Sequence, residues 1–329
     1  SHDESITLGA YFLPNLYLNY EIELKVDSND PDDATATALV FGTGSEGALY
    51  EETFFQEYNT TVDVLWVIDN SCSMQDNVEN VRNNFSSFLG SFLSLGLDYQ
   101  MAMITTDVAD NGSFQGAVMN SSQGQSTVSS TFNSTINNIL SGAGSSSSQD
   151  TEKGLEVTQM ALNNNPSFLR HQDNGLSVIL ITDEDDNGSS PSSQSFISWF
   201  QGLKSNDITL SRMSGFVDAN GGLGGIPRYG AVIEATQGYT ADINAQNWSS
   251  DLEAIAYAAA GLTVIFPLDQ TPSSLGSITV TVDGVEVLQG INGGWTLDTR
   301  LNALVFHGGS IPEAGSTVNV SYTIPTSCE

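Results

Sequence analysis

The chain of 329 residues carries 39 acidic side chains against 8 lysines and arginines, a formal charge of −31. Such a surface repels nucleic acid and anionic membranes, attracts divalent cations, and tolerates salt that screens its self-repulsion. No apolar run is long enough to span a membrane, and a hydrophobic share of 39% places the chain among globular proteins with length for two or three domains.

Most of the acids read as a solubility adaptation to a salty exterior, and only the few that cluster read as metal ligands. The first residues, SHDES, carry no signal-peptide pattern and read as a mature or trimmed end. Two cysteines, Cys72 and Cys328, match neither a disulfide-dense scaffold nor a zinc pattern. Two free thiols and a Cys72–Cys328 bridge both stay open. Scarce Lys and abundant Ser, Thr, Asn and Gly indicate an extracellular or cell-surface protein, where such a bridge would persist. Asn-x-Ser/Thr triplets at Asn59, Asn111 and Asn319 carry little weight in a chain this rich in Asn and Ser.

Residues 1–60 show no helix pattern. Leu16 to Val26 alternates as a half-buried strand, DSNDPDD is a turn, and Thr35 to Phe41 is a second strand stopped by GTGSEG. The turn lacks the regular ligand spacing of a calcium loop. Strand, SNDPD turn, strand and G-x-G together resemble the end of an immunoglobulin-like sandwich of bacterial surface proteins.

Residues 61–270 read as strand–helix repeats, the signature of a parallel α/β sheet. Val62 to Ile68 is a buried strand, followed by Asp69, Ser71 and Ser73 at alternate positions. Gln75 to Leu95 is a helix, with Val78, Val81, Phe85, Phe88, Leu89 and Phe92 at helical spacing. Asp98 to Thr105 is the next strand, and Asp107 just beyond it reads as a strand-end residue. A weak helix covers Val128 to Leu140, GAGSSSS is a loop, and a helix spans Glu152 to Asn163. Leu176 to Thr182 is a central strand ending in Asp183, Glu184, Asp185 and Asp186. A helix over Ser192 to Lys204 and a strand over Ile208 to Val217 follow. Residues 218–228, DANGGLGGIPR, lack the Lys-Ser/Thr of a phosphate cradle and read as a surface loop. Trp248 to Ala260 is a helix, and Leu262 to Leu268 is expected to be the last strand of this domain.

Residues 271–329 change to short strands, among them Trp295 to Asp298, Leu304 to Phe306 and Val318 to Ile324. Ile278 to Val282 and Val285 to Leu288 flank Asp283-Gly284, a strong hairpin signal. The segment reads as a C-terminal all-β module, either a separate sandwich or, the slightly favoured alternative, a piece packed with residues 1–60.

D-x-S-x-S after a buried strand, followed by Met74 and a helix, resembles the von Willebrand factor type A (VWA) domain and its metal-ion-dependent adhesion site. VDVLWVIDNSCSM, YQMAMITTD, TEKGLEV, FLR and ITDEDD follow the order of a bacterial subgroup of secreted A-domain proteins, and VTVDGVEV, GWTLD and NALVF of the terminal module fit it too. The resemblance implies a Rossmann-like, mostly parallel sheet with helices on both faces, plus flanking all-β sandwich modules. It implies a cation, Ca²⁺ or Mg²⁺ with Mn²⁺ as a further option, held by three loops. Asp69, Ser71 and Ser73 form the first loop and Asp183 the third. The second loop usually supplies a Thr, but an ungapped match puts Gln149 there. Thr151 and Glu152 are the nearest oxygen donors, and each also suits an ordinary helix N-terminus.

The resemblance implies a binding or adhesion module whose cation captures an acidic group of a protein or glycan. The alternative is a structural subunit of a surface appendage in which the metal only fixes the loops. Catalysis is not expected. His2 is terminal, His171 and His307 have no nearby Ser or Cys pattern that singles them out, and no P-loop, zinc or nucleotide fingerprint occurs.

Overall fold

The computed structural model describes residues 19–27, 35–43, 47–56, 59–142, 152–186, 188–205, 209–218, 226–245, 248–291 and 293–325. By internal contacts the chain divides into two units. One comprises Ser1–Glu51, Gln270–Ile278 and Ser321–Glu329, the other Glu52–Asp269 and Thr279–Val320.

In the first unit, β1 (Asn19–Asp27) and β2 (Thr35–Thr43) pair antiparallel, with Asn19 opposite Thr43 and Asp27 opposite Thr35. Leu39, Val40 and Phe41 of β2 are exposed.

The second unit contains a six-stranded sheet. Its strands are β4 (Thr61–Ile68), β5 (Asp98–Thr105), β6 (Met119–Asn120), β7 (Gly175–Thr182), β8 (Ser211–Val217) and β9 (Thr240–Asp242). They lie in the order β9-β8-β7-β4-β5-β6, all parallel except β6. Between them run helices α1 (Gln75–Ser94), α2 (Gln125–Gly142), α3 (Gly154–Asn164), α4 (Ser193–Gly202), α5 (Pro227–Ala235) and α6 (Ser249–Ala259). β4 is buried along its length apart from Thr61, as a strand covered on both faces must be. Its side chains alternate between two cores. Trp66 meets Phe85 and Phe88 of α1 and Phe132 of α2, with ring centroids 6.1, 4.9 and 5.2 Å away. Leu65 and Val67 join Leu155 of α3, Phe196 and Phe200 of α4 and Tyr229 of α5 on the opposite face.

The α/β expectation thus holds, with differences in detail. α2 begins three residues before Val128, because its apolar stripe starts only after a polar first turn. α5 and β9 have no counterpart in the sequence reading. α5 starts on a proline straight after the Gly-rich run, and β9 is too short to show a periodicity. The apolar run Leu262 to Leu268 does not extend the parallel sheet. Only β10 (Ile265–Pro267) is a strand, and it pairs antiparallel with β14 (Ala303–His307), which pairs in turn with β13 (Gly294–Asp298). Hydrophobicity reports burial of a segment but not its partner. Pro267 has no N–H to give, which suits an edge strand.

The hairpin expectation also holds. β11 (Thr279–Val282) and β12 (Val285–Val287) pair across Asp283 and Gly284, whose φ angles are 51° and 82°. Two left-handed residues in a two-residue loop are what a type I′ turn requires. These strands belong to a sheet ordered β12-β11-β15-β3, where β3 is Ala48–Phe55 and β15 is Thr317–Ile324. β3 is a further strand without a counterpart in the sequence reading.

Two buried polar groups bear on stability. Asp63 of β4 is fully buried and receives Arg170 Nε at 2.6 Å, Lys204 Nζ at 3.3 Å and Gln100 Nε2 at 3.0 Å. Arg212 of β8, also buried, donates from Nη1 to the Leu262 carbonyl at 2.6 Å. His307 is half-buried, its Nε2 2.8 Å from Thr296 Oγ1, and burial holds its pKa below the usual 6.5. The fold therefore favours the neutral ring. That contribution is present above the unfolded pKa and is lost as pH falls through the lower folded one. We expect His307→Gln to lose less thermal stability than the parent protein between pH 7 and pH 5 in parallel melting scans. Equal losses would assign the acid sensitivity elsewhere.

Candidate metal centre

The strand order places a topological switch between β4 and β7, since the chain leaves β4 toward β5 on one side and β7 returns on the other. Open α/β sheets bind ligands in the crevice at the carboxyl ends of such strands. Asp69 and Asp183 are the first residues beyond those two strands. The ladder continues past the strand ends, with Asp69 N donating to Ile181 O at 2.9 Å and Thr106 N to Ile68 O at 3.1 Å.

Local hydrogen bonds then aim the side chains. Ser71 N donates to Asp69 Oδ1 at 2.8 Å, an Asx turn that folds the loop back on its carboxylate. Thr182 Oγ1 donates to Asp69 Oδ2 at 2.7 Å. Ser71 Oγ and Ser73 Oγ are 3.0 Å apart, and Ser73 Oγ donates to Asp183 Oδ1 at 3.2 Å. Four of the residues expected at the site, Asp69, Ser71, Ser73 and Asp183, therefore form one connected run of oxygens across two loops.

The second loop is partly described. Gln149 and Thr151 lie outside the described residues. Glu152 is not the first residue of the helix as expected. It precedes α3 by two residues, is 2% exposed, and leaves its Oε2 without a hydrogen-bond partner. Its carboxyl shares a hydrogen bond with Glu184. Burial and the neighbouring Asp69 charge push its pKa up to about 8. Burial also raises Asp69, against the hydrogen bonds from Ser71 and Thr182 and with the charge of Asp183 adding to it. Asp183 is raised by burial, with the charges of Glu184 and Asp218 adding to the shift.

Among the described residues, no Lys, Arg or His forms an ion pair with Asp69, Glu152 or Asp183. Nor do three or more His, Cys, Asp or Glu side chains gather closely enough to hold an ion by themselves. The hydroxyls of Ser71 and Ser73 are thus integral to any cation site here. Carboxylates raised by burial and by one another, beside hydroxyl oxygens and without a basic partner, are a donor set that fits a hard divalent cation.

Other candidates take different roles. Asp107 accepts from Ala109 N at 2.8 Å and caps a single 3-10 turn. Cys72 is an exposed thiol, and Cys328 lies outside the described residues. Asp185 and Asp186 carry functions the sequence did not reveal. Asp185 accepts from Arg228 N and Tyr229 N, both at 3.1 Å, at the N-terminus of α5. Asp186 accepts from Leu155 N at 3.0 Å at the start of α3, from Ser189 N at 2.9 Å, and pairs with Arg228 Nη1 at 3.2 Å. The acidic loop after β7 is thus pinned to two helix N-termini, where negative charge is favoured.

No family model matches the chain, and no curated protein matches it. Solved structures resemble it distantly. The pilus adhesin SpaC from Lactobacillus rhamnosus GG, in its open conformation, aligns at 14% identity over 92% of this chain and 44% of that one, with a TM-score of 0.34. Proximal thread matrix protein 1 from the mussel byssus aligns at 14% identity over 64% and 48%, with a TM-score of 0.36. The human COPII-coat protein Sec24c aligns at 10% identity over 83% and 41%, with a TM-score of 0.37. This chain spans less than half the length of each, and likenesses this distant leave the functional reading to the geometry of the site.

Proposed function

We propose that the chain is a VWA-type binding module of an extracellular or cell-surface protein. Asp69, Ser71, Ser73 and Asp183, with Thr151 or Glu152 from the second loop, would hold one divalent cation, Ca²⁺, Mg²⁺ or Mn²⁺. The cation supplies an electrophilic point at which an acidic group of a protein or glycan partner is captured. The chain's own residues do the rest. The Asx turn at Asp69 orients the first loop, Thr182 steadies its carboxylate, and Ser73 joins it to the third loop. The connected run from Asp69 to Asp183 at the switch point, without a basic partner, carries this reading. No catalytic residue is proposed.

A second reading is favoured by the pinning of the acidic loop through Asp185 and Asp186. A loop already fixed to two helices suits an ion that clips loops together within a structural subunit.

Calorimetric titration of Ca²⁺, Mg²⁺ and Mn²⁺ into chelator-treated protein tests both readings, beside an Asp69→Ala/Asp183→Ala variant. One site in the micromolar to millimolar range, absent from a folded variant, is expected. Equal binding by both proteins would mean that the ions only screen the −31 charge. Partner capture that chelator abolishes without unfolding the protein separates the binding module from the structural clip.

A further inference from the structure

We propose that Glu152 is the side chain with which the second loop meets the cation, directly or through a water that the ion carries, so that a third carboxylate bears on the ion beside the serine hydroxyls and the site selects Ca²⁺ over Mg²⁺. The inference rests on the metal-site reading above and extends it to one residue and one ion.

Three observations carry it. Glu152 is 2% exposed, yet its Oε2 has no hydrogen-bond partner, and a buried polar atom normally has one. The charges that act on it are those of acids, Asp69 and Glu184, and no Lys, Arg or His among the described residues forms an ion pair with it. A buried carboxylate so placed requires a cation or a proton. Its backbone is also fixed. Lys153 N donates to Thr106 O at 3.4 Å, and Gly154 N to the buried Tyr229 hydroxyl at 2.9 Å. Leu155 N is held by Asp186, which lies in the same loop as Asp183 and Glu184. The loop before α3 thus presents Glu152 from an anchored position beside the Asp69 loop. A third carboxylate raises the charge of the ligand set. Higher ligand charge suits Ca²⁺, which takes more oxygens at longer distances than Mg²⁺ does.

The test compares wild type, Glu152→Gln, Glu152→Asp and Asp69→Ala by titrating Ca²⁺ and Mg²⁺ separately. The luminescence lifetime of Tb³⁺ in H₂O and D₂O counts the waters on the bound ion. We expect wild type to bind Ca²⁺ more tightly than Mg²⁺. Glu152→Gln should lose at least about tenfold in Ca²⁺ affinity and less in Mg²⁺, with Glu152→Asp in between. Metal-free Glu152→Gln should melt no lower than wild type, because it removes a buried acid that no basic group compensates. A merely structural Glu152 would do the reverse, lowering the metal-free melting temperature and leaving affinity unchanged. A Ca²⁺ loss below about threefold in Glu152→Gln, with binding still abolished by Asp69→Ala, overturns this inference and leaves the metal site standing. Equal losses for both ions overturn the selection of Ca²⁺. Absence of binding by wild type overturns the inference together with the reading on which it rests.

Discussion

Asp63→Asn is expected to cost about 3–5 kcal/mol of unfolding free energy, the usual result of removing one partner from a buried ion pair. Asp63 is fully buried within β4 and holds two cations at once. Arg170 keeps 25% of its side chain in solvent and can rehydrate. Lys204 cannot. It is 1% exposed, and its other partner is the His171 carbonyl at 2.8 Å. Burial already lowers the Lys204 pKa, and the Asp63 charge is what opposes that shift. Without Asp63 the lysine is left charged in the interior or must give up its proton. Small domains are stable by about 5–15 kcal/mol, so a loss of this size is a large share of the total. Urea unfolding measures it, and adding Lys204→Met should recover part of it because the orphaned charge is then gone. A loss below about 1 kcal/mol, or no recovery in the double variant, would show that the cluster is not coupled as its geometry indicates.

The second large effect is a reversal. Metal-free Asp69→Asn should be at least as stable as the parent protein, and in saturating Ca²⁺ it should be clearly less stable. Asp69 is buried, its pKa is raised by that burial, and its neighbours Asp183 and Glu152 are also acids. Asparagine relieves the repulsion and still accepts from Ser71 N. An ion at a hundredfold excess over its dissociation constant stabilises the native state by about 2.7 kcal/mol, and only the parent protein should gain this. Melting scans with chelator and with Ca²⁺ read the crossing. A variant that gains as much as wild type would place the ion elsewhere. The pH dependence follows the same logic. The Glu152 carboxyl, raised from 4.5 to about 8, stabilises the fold fully below the unfolded value. That stability is lost as pH rises through the folded value. Metal-free protein should therefore weaken from pH 6 to pH 9.

The first and third loops of the candidate site are legible in the sequence because both follow long apolar strands. Val62 to Ile68 and Leu176 to Thr182 announce buried parallel strands, and the polar residue after each falls at a sheet edge whatever else the chain does. The two-residue turn at Asp283-Gly284 is legible for a similar reason, since its backbone angles admit few residue types. What escapes the sequence depends on remote partners. Nothing near Asp185 or Asp186 shows that they receive the first amides of α5 and α3, from Arg228 and Leu155, 43 and 31 positions away along the chain. The run Leu262 to Leu268 shows that it is buried, but not that β14 lies beside it. Glu152 reads as an ordinary helix-start carboxylate until its buried, unpartnered oxygen is seen.

All eight basic side chains are engaged with acids or carbonyls, and two of them, Lys204 and Arg212, are buried. With those two withdrawn from water, few basic groups are left to offset the acids at the surface. Two copies approaching in dilute buffer meet as like-charged colloids and stay dispersed. Ionic strength becomes the control on encounter, and divalent ions lower the barrier between molecules at smaller concentrations than monovalent ions do.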